Sequence, residues 1–468
     1  MNYSSRKFII MSVMLFSILF FSSSSCQKDP IIPPTPTDPE YNAKIYLRKE
    51  YMDVYYYWYK DVKTRNAALN PSSYDIYNFF DAMLYSKDRW SWMMDKESYI
   101  SEETGIVSGT YGASMSQPIE YYGDYSVMVR YVFPGSPFAN NGVTRGWNLS
   151  QINGTEVMTL IRNGTFNAEL SKSPQTFTFK DIEGKEHTFT ATAATSLSTR
   201  SSLCTKVFYP KDFEGLTEPV GYFNYLAFKA TMLDDITSAM ETMKNVGIKK
   251  LILDLRYNGG GDSRASQLLV NYLAPASADG QVYVVRKHND LLASEDVSSS
   301  VSRNSESLDL DKLYIITGSG SASASEMVLN GLKPLMNIQN VGDTTYGKPN
   351  GMYVLMYPGS NADYKKYNAG DFSSLQYAFL PICFYNQNKL GENIPDNGFI
   401  PVNTRADDLY HDFDVTEDNI RACLTHIVSG QYPPLPAKTK ASARSGKKIM
   451  LAEEEVNPNY GLYTVFNK

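Results

Sequence analysis

The sequence predicts a multidomain α/β protein, with a helical N-terminal domain, a small β domain and a larger α/β core. Three observations carry that prediction. From residue 203 to residue 435, strand-like and helix-like stretches alternate, which implies a mainly parallel sheet covered on both faces. Within that stretch KKLILDL is a continuous apolar run, the mark of a strand buried on both sides. The hydrophobic period also changes, from helical over residues 41–104 to short β-like runs over residues 105–195. A length of 468 residues fits two to four domains.

In the N-terminal region IYLRKEYMDVYYYWYKDV places Ile45, Leu47, Tyr51, Met52, Tyr55, Trp58 and Tyr59 at helical spacing. PSSYDIYNFFDAML offers a serine cap to a second amphipathic helix. The β region holds YSVMVRYVF, NGVTRGWNLSQINGTEVM and QTFTFKDIEGKEHTFTATA, the last a hairpin turning at Glu183-Gly184. In the core VGYFNYLAF, KKLILDL, QVYVV and KLYIIT read as strands. TMLDDITSAMETMKNVG carries Leu233, Ile236, Met240 and Met243 on one helical face and stops at Gly247, and SRASQLLVNYL and SASEMVLNGLKPL are helical. Two loops therefore follow strands at their carboxyl ends, RYNGGG after LILDL and GSGSAS after LYIIT, where sites form in such sheets. Residues 436–468 form a basic, small-residue tail without evident chemistry.

Composition narrows the function. The chain is 43% hydrophobic and 20% charged, the balance of a globular protein with a real core. A net charge of -6 and the lack of a long basic block argue against nucleic acid as a partner. Residues 1–25 combine Arg6-Lys7, an apolar run over residues 8–21 and several serines, the layout of a secretory signal. That run is short for a membrane span of about 20 residues. Residues 26–40 are rich in proline and read as a stiff tether. Beyond Cys26 stand Cys204, Cys383 and Cys423. Their odd number and spacing match neither a disulfide framework nor a metal site, so buried thiols are expected.

The local chemistry leaves two readings of the serine loop open. Ser323 and Glu326 form S-x-x-E before MVLNGL, a capping box that a helix start alone would explain. The same place suits a nucleophile. The first helical amides lack intrahelical acceptors and carry the positive end of the dipole, so an oxyanion formed on Ser323 would meet the amide of Ala324. Gly259, Gly260 and Gly261 bring a second amide close, because backbone without Cβ permits tight approach. Such a serine needs a base. None of His187, His288, His411 and His426 lies in a loop after a strand of the parallel sheet, and no G-x-S-x-G is present; a Ser–His pair nonetheless assembles in space rather than in sequence. Lys348, in TTYGKPNG, is the other candidate. Lysine is ordinarily charged, with a pKa of about 10.4, and becomes a base when burial lowers that value by several units.

DLRYNGGG (254–261), SASASE (321–326) and GDTTYGK (342–348) together strongly resemble the tail-specific, or carboxy-terminal processing, proteases of peptidase family S41, in which such segments occur in this order. The resemblance implies a ClpP/crotonase-like S41 catalytic core, Ser323 as nucleophile and Lys348 as base. It also implies Ala324 and Gly260 as the oxyanion hole, with no metal and no cofactor. Some members orient the lysine with a glutamine four residues after it, others with an acid eleven residues after the serine. Here those positions hold Met352 and Pro334. Glu326 is left as the third member, to orient the site or only to cap the helix.

PGSPFANNGVTRGWNLSQINGTEV resembles the centre of a PDZ domain, with Gly146-Trp147 where Gly-Asp is usual. That implies binding of extended or C-terminal peptide segments by strand addition. SSSSC resembles a bacterial lipobox, with Ser22 where leucine is usual, and CQKDP resembles the surface-export signal of Bacteroidetes lipoproteins. Together these imply lipidation of Cys26 and an outer membrane lipoprotein, periplasmic or surface-exposed.

The expectation is a serine endopeptidase with a Ser–Lys dyad, cleaving unfolded or C-terminally recognised polypeptides in the bacterial cell envelope. Its predicted segments are a signal peptide (1–25), a tether (26–40), a helical domain (41–104), a PDZ-like domain (105–195), a protease core (203–435) and a tail (436–468). Two other readings stand beside it: a non-catalytic peptide- or ligand-binding surface lipoprotein on the same scaffold, and a Ser–His hydrolase.

Overall fold

A computed structural model describes residues 38–116, 119–121, 124–435 and 447–448. The signal segment, Cys26 and most of the tether and tail lie outside the described residues. The central layer is a six-stranded sheet. In chain order its elements are β1 (Ser202–Phe208), β2 (Val220–Tyr225), α1 (Leu233–Val246), β3 (Lys250–Asp254), α2 (Ser263–Leu273), β4 (Lys312–Thr317), α3 (Ala324–Leu332), β5 (Ile338–Gly342), β6 (Asn403–Thr404) and α4 (Asp418–Ser429). The strands lie side by side in sequence order, β1 antiparallel to β2 and the rest parallel.

The period-2 alternation of the strands decides what packs where. Leu251, Leu253, Leu313 and Ile315 join Ile236, Met240, Leu269, Val270 and Val328 of α1, α2 and α3 in one core. Ile252, Tyr314 and Ile316 face the other way, onto Ile420, Ala422 and Leu424 of α4. Burying each such side chain stabilises the fold by about 1.5–3 kcal/mol. The expected mainly parallel sheet, covered on both faces, is therefore present. α1 stops at Gly247, whose φ of 74° is the left-handed cap that glycine accommodates.

The N-terminal helices close their core against residues from late in the chain. Leu47, Tyr56, Phe79, Phe80 and Trp90 share one cluster with Met352, Leu355, Phe379, Leu380 and Ile382. The strand Trp92–Asp95 pairs antiparallel with Tyr377–Leu380. Two local expectations are corrected here. The run from Ile45 to Tyr59 is not one helix: Pro39–Tyr46 passes into a π-helical turn, Leu47–Met52, and helix resumes only at Tyr59–Ala68. The Asn289 side chain donates to the carbonyls of Val54 (2.9 Å) and Tyr56 (3.1 Å), taking acceptors that a continuous helix would use internally. The next helix, Ile76–Met83, is capped by Asp75, which accepts from the Asn78 N–H at 2.8 Å, rather than by a serine.

The β region has its own core, built on Phe138, Leu149, Ile152, Phe177 and Phe179. Its hairpin pairs Gln175–Lys180 with Glu186–Ala191, as the Glu183-Gly184 turn predicts. Arg145 leaves this region for the central layer, donating to Tyr257 Oη at 2.6 Å and Asp407 Oδ1 at 2.9 Å. Cys383 and Cys423 are buried thiols and Cys204 is half-buried.

Candidate active site

The glycine loop leaves β3 and is anchored by Arg256. Its guanidinium is 4% exposed and bonds Asp254 (3.0 Å), Asp407 (3.0 Å) and both oxygens of Glu417 (2.6 and 3.1 Å). Glu417 in turn caps α4 by accepting from the Ile420 N–H. A charge buried with this many hydrogen-bonded partners fixes geometry, so the loop leaves the sheet at a set angle. Beyond it, Asn258 donates to Tyr225 O (3.0 Å) and accepts the Gly260 N–H on Oδ1 (2.9 Å).

The serine loop leaves the neighbouring strand, β4, and is sewn to the glycine loop by the serines flanking Ser323. Ser321 Oγ donates to Leu255 O (2.7 Å) and Ser325 Oγ to Asn258 O (2.8 Å). Ser323 stands between them at the N-cap of α3, with φ 52° and ψ −111°. A non-glycine residue in that region is strained by about 1–3 kcal/mol and is held there by its surroundings. Gly260 supplies the room: a Cβ on it would lie 2.9 Å from Ser323 Cβ and 3.0 Å from the Ala324 nitrogen.

Lys348 arrives from the loop after β5, and Glu326 joins it to the serine. One Glu326 oxygen accepts the backbone N–H groups of Ser323 (3.0 Å) and Lys348 (2.8 Å); the other accepts Gly347 N–H (2.8 Å) and Thr345 Oγ1–H (2.6 Å). The capping position of Glu326 and its contact with the lysine turn are thus properties of one carboxylate. Ser323 is 2%, Lys348 1% and Glu326 0% exposed. Burial drives the Lys348 amine down to about 7, against the smaller opposing pull of Asp88 and Glu326. Burial likewise pushes the Glu326 carboxyl up, and its four donors pull it back. The Lys348 Nζ lies 3.9 Å from Met352 Sδ.

The structure therefore brings Ser323, Ala324, Glu326, Lys348 and Gly260 to one place. The Gly260 amide is engaged by Asn258 Oδ1, whereas Ala324 N–H belongs to the first helical turn, whose amides have no intrahelical acceptor. The histidines are tied elsewhere: His187 to Asp181, His288 to Asp296 and Tyr353, His411 to Asp408, His426 to Tyr314. Two neighbours escaped the sequence reading. Asn258 shapes the glycine loop through a local contact with the amide two residues on, and Arg89 donates to Gly347 O at 3.0 Å, a contact that leaves no local pattern in the sequence.

The mainly parallel sheet thus presents a helix-capping serine at the end of one strand and a buried lysine after the next. Residues 219–366 match the model of peptidase family S41. The carboxyl-terminal-processing peptidase 3, chloroplastic, of Arabidopsis thaliana is 32% identical over 136 residues, covering 29% of this chain and 25% of that protein. Carboxy-terminal processing protease CtpB of Bacillus subtilis is 27% identical over 132 residues, 28% of this chain and 25% of that protein. A crystal structure from Bacteroides fragilis assigned to the S41 proteases shares the fold, with a TM-score of 0.65 and 22% identity over 82% of this chain and 97% of that one. Over residues 219–366 the chain is thus similar to peptidase family S41, whose curated relatives here are carboxyl-terminal processing proteases. It spans a quarter to a half of the length of the curated relatives it matches.

Proposed function

We propose that this protein is a serine endopeptidase in which Ser323 is the nucleophile and Lys348 the general base, cleaving unfolded or C-terminally recognised polypeptides. The observation that carries the reading is the Lys348 amine, buried and brought to about 7 beside a serine that shares the Glu326 carboxylate with it. An amine near neutrality at pH 7 takes and returns protons in the range a general base needs.

The neutral Nζ takes the Oγ proton as Oγ bonds to the peptide carbonyl carbon, leaving an ammonium and an oxyanion. The Ala324 N–H donates to the oxyanion, and Gly260 joins it by giving up Asn258 Oδ1. Collapse breaks the C–N bond, and the departing amine carries away the proton from Nζ. Water then gives a proton to Nζ as its oxygen attacks the acyl ester, and breaking of the ester returns that proton to Oγ. In this reading Glu326 positions both segments, and no metal or cofactor takes part.

The same reading assigns residues 41–104 to a helical domain, residues 105–195 to a PDZ-like domain that presents extended or C-terminal segments, and Cys26 to a lipid anchor in the cell envelope. Digestion of an unfolded casein-like substrate by wild type, Ser323→Ala and Lys348→Ala tests the dyad. Loss in both variants with folding intact supports it, and equal digestion by all three overturns it. A wild type that digests nothing but binds peptide points instead to the non-catalytic lipoprotein, a reading that the near-complete burial of Ser323 keeps in play.

A further inference from the structure

The lysine turn is gripped from outside the core. Arg89, from the loop after the helix Ile76–Met83, donates through Nη2 to Gly347 O (3.0 Å) and Asp396 O (2.8 Å), and its guanidinium lies 5.0 Å from the Tyr346 ring centre. It therefore holds the carbonyl of the peptide bond that leads into Lys348, across 258 residues of sequence. The residue before it, Asp88, is fixed as firmly. Asp88 Oδ1 accepts the backbone N–H groups of Trp90 (2.9 Å) and Ser91 (3.0 Å); Oδ2 accepts Tyr56 Oη–H (2.7 Å) and Ser91 Oγ–H.

The Arg89 grip on Gly347 O brings the loop that carries this carboxylate to the lysine turn. The Asp88 charge acts on the buried Lys348 amine more than that of Glu326 does, and it acts on Tyr385 as well. Tyr385 stands in the strand Ile382–Gln387, in register with Asn350 two residues beyond Lys348. Each of the two carboxylates is held by four donors, Glu326 by those of the serine and lysine segments and Asp88 by those of Tyr56 and its own loop. The charged and titratable groups at the lysine turn are thus Asp88 and Arg89 of the N-terminal loop, Glu326, Tyr385 and, on the turn itself, Tyr346.

We propose that Asp88 is the positioning residue for Lys348: its carboxylate, set in its own loop and brought to the lysine turn by the Arg89 grip on Gly347, steadies the ammonium that forms when Ser323 gives up its proton. The N-terminal segment thereby fills the part that an acid or amide from the core would otherwise play, at a site where position 352 holds a methionine. Asp88 need not touch the substrate for this. The inference rests on the Ser323–Lys348 reading.

The test is the pH dependence of covalent modification of Ser323 by a fluorophosphonate, followed by intact mass, which needs no natural substrate. Wild type, Asp88→Asn, Asp88→Ser, Arg89→Ala and Lys348→Ala are compared between pH 5.5 and 9. A carboxylate favours the ammonium, so its removal makes Lys348 easier to deprotonate and moves the acid limb to lower pH. Asp88→Asn keeps an acceptor for the two N–H groups and is expected to lower the midpoint by about one pH unit, with a plateau rate about tenfold lower. Asp88→Ser, which retains a local turn acceptor without charge, gives the same shift should the amide variant misfold. Arg89→Ala releases the grip that brings Asp88 to the turn, and is expected to move the midpoint in the same direction by a smaller amount and to lower the plateau. An unmoved midpoint in both Asp88 variants overturns the role of Asp88 and leaves the dyad standing. Modification of wild type no faster than Lys348→Ala overturns the dyad, and the Asp88 proposal with it.

Discussion

Replacing Lys348 by methionine removes the amine and keeps an unbranched side chain of similar reach. The structure sets both the size and the sign of the effect on stability. The folded amine sits at about 7 against an ordinary 10.5, and at about 1.4 kcal/mol per pH unit that gap is worth about 5 kcal/mol. Because the folded value is the lower one, the group costs nothing above pH 10.5, where both states are neutral. As pH falls towards 7 the unfolded chain takes up a proton that the folded chain refuses, and stability drops. Below about 7 the full cost persists. The figure is a ceiling, since the fold relaxes around an ammonium. Lys348→Met is therefore expected to exceed wild type by about 2–4 kcal/mol at pH 6, with the gap closing to under about 1 kcal/mol near pH 10. Urea unfolding of both proteins at five pH values reads the gap directly, and titrations common to both cancel. A variant less stable than wild type by a pH-independent amount would refute the reasoning, because it would mean that the lysine is charged and paired in the fold.

Two further substitutions probe the frame around the dyad. Glu326→Gln can accept on one oxygen only, so at least one buried N–H faces an NH₂ group. At about 1–3 kcal/mol for such a donor, the melting midpoint falls and casein digestion slows about tenfold, whereas wild-type values in both assays would show that the carboxylate does not join the two segments. Gly260→Ala combines a φ of 108° with a Cβ 2.9 Å from Ala322 O and Ser323 Cβ. A cost of about 2 kcal/mol and a fall in kcat of about a hundredfold are expected, and an unchanged kcat would show that this loop does not place Ser323.

Much of the central layer was legible in the sequence, because its strands and helices obey their own periods. KKLILDL is buried on both faces as its composition requires, and Gly247 ends α1 where a left-handed residue is needed. The two loops could be placed at strand ends for the same reason. The features that stayed hidden depend on partners distant in sequence. The break between Met52 and Tyr59 comes with an asparagine more than two hundred residues away that takes the carbonyls of Val54 and Tyr56. The claim of Asn258 on the Gly260 amide is the exception, a contact between residues only two apart that the sequence reading passed over. Asp88 and Arg89 look like ordinary surface charges in SKDRWSW, and only the shared core of residues 43–94 and 352–382 brings them to Lys348.

That shared core also has a consequence in time. Tyr51 donates to the carbonyl of Met356, 305 residues further along, and Trp92–Asp95 completes a sheet with residues 377–380. Contacts so remote form late, since the loop they close must be ordered before they repay it. A chain still emerging from a ribosome has the serine arm in hand before the apolar residues 352–382 that bury the lysine turn's neighbourhood. In the Ser323–Lys348 reading, the lysine turn is therefore completed only once residues 352–382 have joined the N-terminal segment.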